Sequence, residues 1–381
     1  MAFAFNTISE AEILRSPGGR NMIDAINYSG PKNLILTGCP GSGKTTVALM
    51  RALKLRREGR NILLVTYQNL LRINLANMAG DSMDDRIVGF YEWFVKKADT
   101  RIVPADTTAT LLKKIETLKP FEEILLDEGQ DLEKKFLETL IAKTQKISVS
   151  ADTAQKIHEH GLTAEQIIEV LNKSAEPHRV NLQYNYRNNF ETYDFGRHFL
   201  PLNQRANNKL TLDKIPKGII TKPLVFQALT DDEEKRILRT RLNEAGDVNI
   251  GVLVYHKDEV EQYYKMVVDL GFPCTKYYHD MEWWEKRDEL NNLKNIIVTT
   301  FKSAKGLEFQ AIIMPNIQTA LTRQFKTREH YYVGCTRAKE QLYLIFNGEK
   351  PKFLGEFPID TFTFVPGTGD VPVEEDDDLP F

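Results

Sequence analysis

The stretch Gly38-Cys39-Pro40-Gly41-Ser42-Gly43-Lys44-Thr45 directly follows the apolar run Leu34-Ile35-Leu36. A buried strand that runs into a glycine-rich turn and then a helix aims several backbone N–H groups at one point, where a phosphate can sit. In such a loop Lys44 reaches the β- and γ-phosphates and the Thr45 hydroxyl is placed for Mg²⁺. A loop that merely turned the chain would need neither residue. The pairing predicts ATP-type nucleotide binding by Gly38, Gly41, Ser42, Gly43, Lys44, Thr45 and Thr46, with Thr45 on the metal.

The rest of the first half has the rhythm of a parallel α/β unit. Strands are predicted at 33–37, 61–66, 123–127 and 146–150, with helices at 44–57 and 131–143 between them. Residues 70–118 are more helical and more charged than a simple crossover requires, which predicts a small insertion. A second α/β unit begins near 180, with strands at 222–227, 249–254, 295–300, 311–314 and 341–346 and helices at 231–245 and 256–270. The expected division is 1–180, 181–350, and a flexible linker with an acidic tail over 351–381.

Composition narrows the setting. At 381 residues the chain can hold two cores of ordinary size. Cys39, Cys274 and Cys335 form neither a metal-ligand spacing nor a disulfide framework, which suits a reducing cytoplasm. No apolar run approaches the roughly 18–20 residues that span a bilayer, and the N-terminus does not read as a secretion signal, so no membrane role is expected. The formal net charge is −3, but residues 370–381 hold six acids and no base, leaving the remainder at +3. Overall acidity therefore does not argue against nucleic acid, because phosphate contacts depend on local grooves.

Hydrolysis needs more than the loop. Ile124-Leu125-Leu126-Asp127-Glu128 is an apolar strand ending in two acids. Asp127 can hold the Mg²⁺ water shell opposite Thr45, and Glu128 can orient the attacking water. A third strand ends in Ser150-Ala151-Asp152, with Gln155 just beyond, where an amide can sense the γ-phosphate. Positive charge on the γ-phosphoryl oxygens would come from Arg187 and Arg337, although sequence position alone does not separate these from solvated surface arginines.

Taken together, the ordered segments resemble the superfamily 1 helicases, specifically the UvrD/Rep-like branch and its compact relatives. After the phosphate loop come Leu64-Val65-Thr66-Tyr67, Asp127-Glu128-Gly129-Gln130-Asp131, Asp152 to Gln155, Asn185-Tyr186-Arg187, Lys305-Gly306-Leu307-Glu308-Phe309 and Tyr332-Val333-Gly334-Cys335-Thr336-Arg337-Ala338-Lys339-Glu340. The resemblance implies an α/β fold of two RecA-like motor domains that clamp ATP between them, with a small helical insertion and a disordered acidic tail. It assigns Tyr186 to stacking on the adenine, Glu308 to the nucleotide sugar, and Arg187 and Arg337 to the γ-phosphate. It implies 3′→5′ movement along single-stranded DNA, driven by ATP and Mg²⁺, by a monomer acting in repair, replication or mobile-element biology.

Departures from that pattern matter. No glutamine lies in Pro17–Ile26, where relatives read the adenine edge, so Arg20 or Asn21 substitutes or base selectivity is relaxed. His158 and His160 stand in the region where relatives carry a base-stacking tryptophan, and Lys302 stands where a histidine is usual and can meet a strand phosphate. Thr66, Tyr91 and Trp93 are the other expected strand contacts, although Gly89–Phe94 is also an ordinary helix core by pattern. Tyr278, Trp283 and Trp284 read as a local packing cluster. There is little room for the long insertions of larger relatives, so translocation is expected before processive unwinding. The alternative is a nucleotide-gated switch acting on a partner, and RNA is the lesser track. The terminal Glu374-Glu375-Asp376-Asp377-Asp378-Leu379-Pro380-Phe381 resembles the tip of bacterial single-stranded-DNA-binding proteins. That predicts a protein receptor for the Leu379-Pro380-Phe381 tip, against a solubilising tail or one that competes with the strand for the protein's own groove.

Overall fold

Ile35, Leu63, Val65, Ile124, Leu126, Ile147 and Val149 share one buried cluster, while Leu34, Leu36, Ile62, Leu64 and Leu125 point into others on the opposite side. Alternation with both sets buried marks a parallel sheet covered on both faces. The computed structural model describes residues 3, 8–66, 69–79, 83, 86–90, 119–152, 161–202, 205, 215, 222–318 and 327–368.

The first sheet holds β1 (Leu34–Gly38), β2 (Ile62–Thr66), β3 (Ile87–Gly89), β4 (Phe121–Leu126), β5 (Thr144–Ala151) and β6 (His178–Leu182). They run in the order β3-β2-β4-β5-β1-β6. The register pairs Thr37 with Ala151 and Leu126 with Val149. The C-terminal ends of β1, β4 and β5 are thereby level, and the residues just beyond them share one rim. Helices Lys44–Arg57 and Asn69–Ala79 cover one face, and Lys134–Ile141 and Ala164–Asn172 the other.

The second sheet holds β7 (Leu224–Ala228), β8 (Ile250–Val254), β9 (Cys274–Tyr277), β10 (Ile296–Thr300), β11 (Phe309–Met314), β12 (Ala338–Asn347) and β13 (Thr363–Val365). Their order is β13-β7-β12-β11-β8-β10-β9, again with parallel pairs. Two RecA-like α/β units are the architecture. No helix among the described residues is long and apolar enough to cross a membrane.

Three stretches differ from expectation. Residues 69–79, assigned in part to an insertion, form a helix whose Leu71 and Leu75 are buried beneath the first sheet. Residues 351–365, expected as linker, pack Phe353, Leu354, Phe357 and Phe362 into the core of the second sheet and end in β13. The aromatic spacing there outweighs the Gly/Pro content, because each buried ring removes a large apolar area from water. The third is the edges: β3, β6, β9 and β13 are strands beyond those the apolar runs predict. They are short or polar, and they form because a neighbouring strand offers unpaired backbone groups, as where the N–H of His178 donates to the Asn33 carbonyl at 2.7 Å.

The two units are not simply tethered. Phe3 and Leu70 join Phe195, Phe199, Phe301 and Tyr331 in the core cluster of the second sheet. Helix Phe190–Arg197, which follows β6, is packed there as well.

Candidate nucleotide site between the two sheets

Gly41 and Gly43 hold φ of 71° and 86°, the left-handed region that side chains disfavour. A Cβ at Gly41 would come within 2.4 Å of the Asn185 side chain, so the loop is also pressed closely against residues 185–187. The Tyr186 N–H donates to the Gly41 carbonyl at 2.9 Å. Asn185 in turn accepts from the N–H groups of Arg187 and Asn188 at 2.9 and 3.1 Å. Two segments more than a hundred residues apart in sequence thus form one rigid edge.

Helix Lys44–Arg57 begins at the loop and directs its unpaired N–H groups back toward it. The Lys44 ammonium donates to the carbonyls of Gly38 and Cys39, each at 2.8 Å, and lies 3.5 Å from Asp152. Burial pushes the Cys39 thiol up to about 12, so it is no nucleophile. Asp127, one residue beyond β4, is buried, and its Oδ2 has no hydrogen-bond partner among the described residues. Burial and the adjacent Glu128 charge raise its carboxyl well above the usual range, while Thr45 and Lys44 oppose that rise. A buried carboxylate oxygen without a proton donor, set beside a threonine hydroxyl, fits a hard divalent cation. The Ser42 hydroxyl, without a hydrogen-bond partner among the described residues, and the glycine cradle likewise fit a phosphate.

Glu128 occupies the left-handed region, φ 54°, which a side-chain-bearing residue seldom adopts. It accepts from the Gln130 amide, whose Oε1 accepts the Asp152 N–H at 3.1 Å. Burial works against its charge, but Lys305, then Lys44 and Arg337, hold its carboxyl below the ordinary value.

Across the cleft, Arg187 grips Glu308 through Nε and Nη2 at 2.9 and 2.6 Å, and reaches the Thr336 carbonyl at 3.1 Å. Lys339 holds the other Glu308 oxygen at 2.9 Å. Against the cost of burial, these two cations keep the Glu308 carboxyl far below the usual range. Arg337 is buried and donates to the Val333 carbonyl at 3.2 Å. Burial and the nearby Arg187 make its charge costly, which an anion would relieve.

Between these walls lies a cavity of about 400 Å³. Its lining includes Gly41, Ser42, Gly43, Lys44, Thr45, Thr46, Glu128, Tyr186, Arg187, Glu308 and Arg337. Gly38, at the end of β1, and the buried Asp127 are not part of this lining. Ser16, Glu12 and Met22 line the cavity as well. Arg20 and Asn21, the expected stand-ins for the missing glutamine, are exposed and outside this lining. The Tyr186 hydroxyl is held by the Pro17 carbonyl.

Of the expected strand contacts, Lys302 is exposed at the tip of β10. Thr66 is wholly buried at the end of β2, with its hydroxyl unpartnered among the described residues. Burial follows from the position of β2 between β3 and β4, and it withdraws Thr66 from any strand on the surface. Gln155, Tyr91, Trp93, His158, His160 and the tail from Glu374 to Phe381 lie outside the described residues. Tyr278 packs against both clusters of the second sheet, whereas Trp284 is exposed. Sequence reasoning missed Lys339 and the Lys305–Asp131 pair. Both stand inside the segments already quoted, but nothing in the sequence says which charged letters face each other.

Residues 23–160 match the family described as an AAA domain, and residues 295–345 match the UvrD-like helicase C-terminal domain. The RecB subunit of the RecBCD enzyme from Chlamydia pneumoniae is 27% identical over 99 residues, which is 24% of this chain and 9% of that relative's length. The chain therefore spans only a small part of that relative. S. cerevisiae Dbp5 bound to RNA and ADP BeF3 aligns over 94% of this chain and 96% of its own, with a TM-score of 0.53 and 13% identity, a likeness of fold. The C-terminal domain of a possible DNA helicase from Lactobacillus plantarum WCFS1 covers 47% of this chain and 98% of its own at 21% identity, with a TM-score of 0.36. By its ordered motifs and these partial matches, the chain is similar to the UvrD/Rep-like helicases.

Proposed function

We propose that this chain is an ATP-hydrolysing translocase or short-range helicase that steps 3′→5′ along single-stranded DNA. The observation that carries the reading is the cavity itself. Lys44, Thr45 and Glu128 belong to the first sheet, Glu308 and Arg337 to the second, and Arg187 ties the two together.

ATP with Mg²⁺ would supply the phosphoanhydride whose cleavage drives the cycle. The loop N–H groups and Lys44 bind the phosphates, while Thr45 and Asp127 are the residues that would hold the cation. Glu128 orients the attacking water and accepts its proton. Arg187 and Arg337 stabilise charge on the transferred group, and Gln155 reports its presence to the strand. Tyr186 offers a face to the base, and Glu308 accepts from the sugar. Closing the cleft brings Arg337 toward Lys44, and reopening lets the two sheets shift against a strand bound across both. Lys302, Tyr91 and Trp93 are assigned to that strand, with Thr66 requiring exposure from its buried position. Cytoplasmic location, a monomeric state and a role in DNA repair complete the reading.

The test is ATP turnover with and without single-stranded DNA or RNA, followed by strand displacement from 3′- and 5′-tailed duplexes. Turnover that rises with DNA and displacement from 3′ tails are expected. Equal turnover with and without nucleic acid would sink the motor reading. Strand-stimulated turnover without displacement of streptavidin from biotinylated ends would instead make the chain a nucleotide-gated switch. Capture of a repair or replication protein by a peptide of the last ten residues, lost with Phe381→Ala, tests the tail.

A further inference from the structure

Lys305 stands at the joint between the sheets, wholly buried, on the loop between β10 and β11. Its ammonium lies 2.8 and 2.7 Å from the two oxygens of Asp131, which belongs to the turn after β4 in the other sheet. The same ammonium is 3.6 Å from Oε2 of Glu128. A buried lysine needs a partner, and Asp131 supplies one through both carboxylate oxygens. The approach to Glu128 is additional.

Two features make it consequential. The left-handed backbone at Glu128 sets where its side chain departs, so the carboxylate depends on neighbours for its final direction. The Gln130 amide holds it from within its own sheet, and among the described residues Lys305 is the side chain of the opposite sheet that forms an ion pair with it. The depth to which Lys305 enters is set by its neighbour: Gly306 has φ 84°, and a Cβ there would meet Leu71 of helix Asn69–Ala79 at 2.7 Å. That close seat fixes the loop against the first sheet.

We propose that Lys305 is a positioning residue for hydrolysis, holding the Glu128 carboxylate in its working direction only while the two sheets are docked. Separation of the sheets withdraws the ammonium and leaves Glu128 without its ion pair to Lys305, so the attacking water is poorly oriented in the open cleft. Lys305 thereby links cleft closure to the water-activating group, without touching nucleotide or strand. The proposal rests on the reading of Glu128 as the water-orienting group.

The experiment compares wild type, Lys305→Met, Lys305→Gln, the double variant Lys305→Met/Asp131→Leu, and Glu128→Gln, each in the full chain with saturating single-stranded DNA. Melting temperature, ATP KM and kcat are measured for all. Removing both buried charges together is close to neutral for stability, so the double variant should melt near wild type. Its kcat should stay at least about tenfold low while KM for ATP moves less than about threefold. Lys305→Gln keeps a hydrogen-bond donor toward Asp131 and should show the same loss of kcat, which covers a double variant that fails to fold. Wild-type kcat in either protein would overturn the proposal and leave the pair as a structural contact. Glu128→Gln separates the two readings. If it turns over ATP at the wild-type rate, the assignment of Glu128 is wrong; if it is inactive while the Lys305 variants are normal, only the role of Lys305 fails.

Discussion

At the scale of single residues, the site is built from charges that are costly where they stand. Arg337 is buried beside a second guanidinium, Asp127 is buried beside a second carboxylate, and Lys44 rests on two carbonyls of its own loop. Each is relieved by a phosphate or a cation, so the pocket is organised for a ligand rather than for its own stability. Arg337→Ala should leave ATP affinity comparatively intact and lower kcat by about 10³-fold or more, as for arginine fingers. Steady-state turnover alongside equilibrium binding of a fluorescent ATP analogue checks this, and turnover within about tenfold of wild type would show the finger is misassigned. Lys44→Ala should instead weaken binding and abolish turnover in the same pair of assays. The motif letters of these residues were legible in the sequence. The Lys305–Asp131 and Arg187–Glu308 pairings were not, because they join residues 174 and 121 positions apart.

At the scale of elements, the central strands were read from their apolar runs to within a few residues, since burial on both faces demands continuous apolar character. Edge strands carry no such demand. β6, His178–Leu182, carries polar His178, Arg179 and Asn181, and pairing with β1 beside it makes it a strand. The loop at Gly306 gives an element-level prediction. Gly306→Ala combines a left-handed φ with a contact against Leu71, and should cost about 1–3 kcal/mol in denaturant unfolding. A second concerns β5. The Lys146 ammonium, on that strand, donates to the Gly30 carbonyl at 2.9 Å, and burial pulls its pKa down to about 8. The unfolded chain, with Lys near 10.4, binds more protons across that interval, so stability should rise as pH climbs from about 8 to about 10. Lys146→Met should remove this rise, which melting curves over the same pH range would reveal; an unchanged pH slope would show that Lys146 titrates normally.

At the scale of the whole molecule, the core of the second sheet is completed by parts of the chain that precede it. Phe195 and Phe199 pack with Tyr331, Phe353 and Phe357, and Leu70 and Phe3 reach the same cluster. A fragment starting at residue 183 keeps Phe195 and Phe199 and should aggregate less by size exclusion than one starting at 222, which has lost those rings from its apolar face. Equal behaviour of the two fragments would show that helix Phe190–Arg197 is dispensable.

What the amino-acid order determined alone is the set of local devices: the phosphate loop, the strands that end in acids, the arginine-bearing segments and the parallel α/β rhythm. Each is encoded within a few consecutive residues by apolar periodicity or by glycine, so no knowledge of distant contacts is needed. Only the tertiary structure decided which charges meet across the cleft, that Thr66 is buried, that residues 351–365 complete the second sheet, and that Ser16 and Glu12 rather than Arg20 and Asn21 line the cavity. Those outcomes depend on how two sheets are placed against each other. A linear pattern carries no record of that placement, because the contacts that set it are spread over the entire chain.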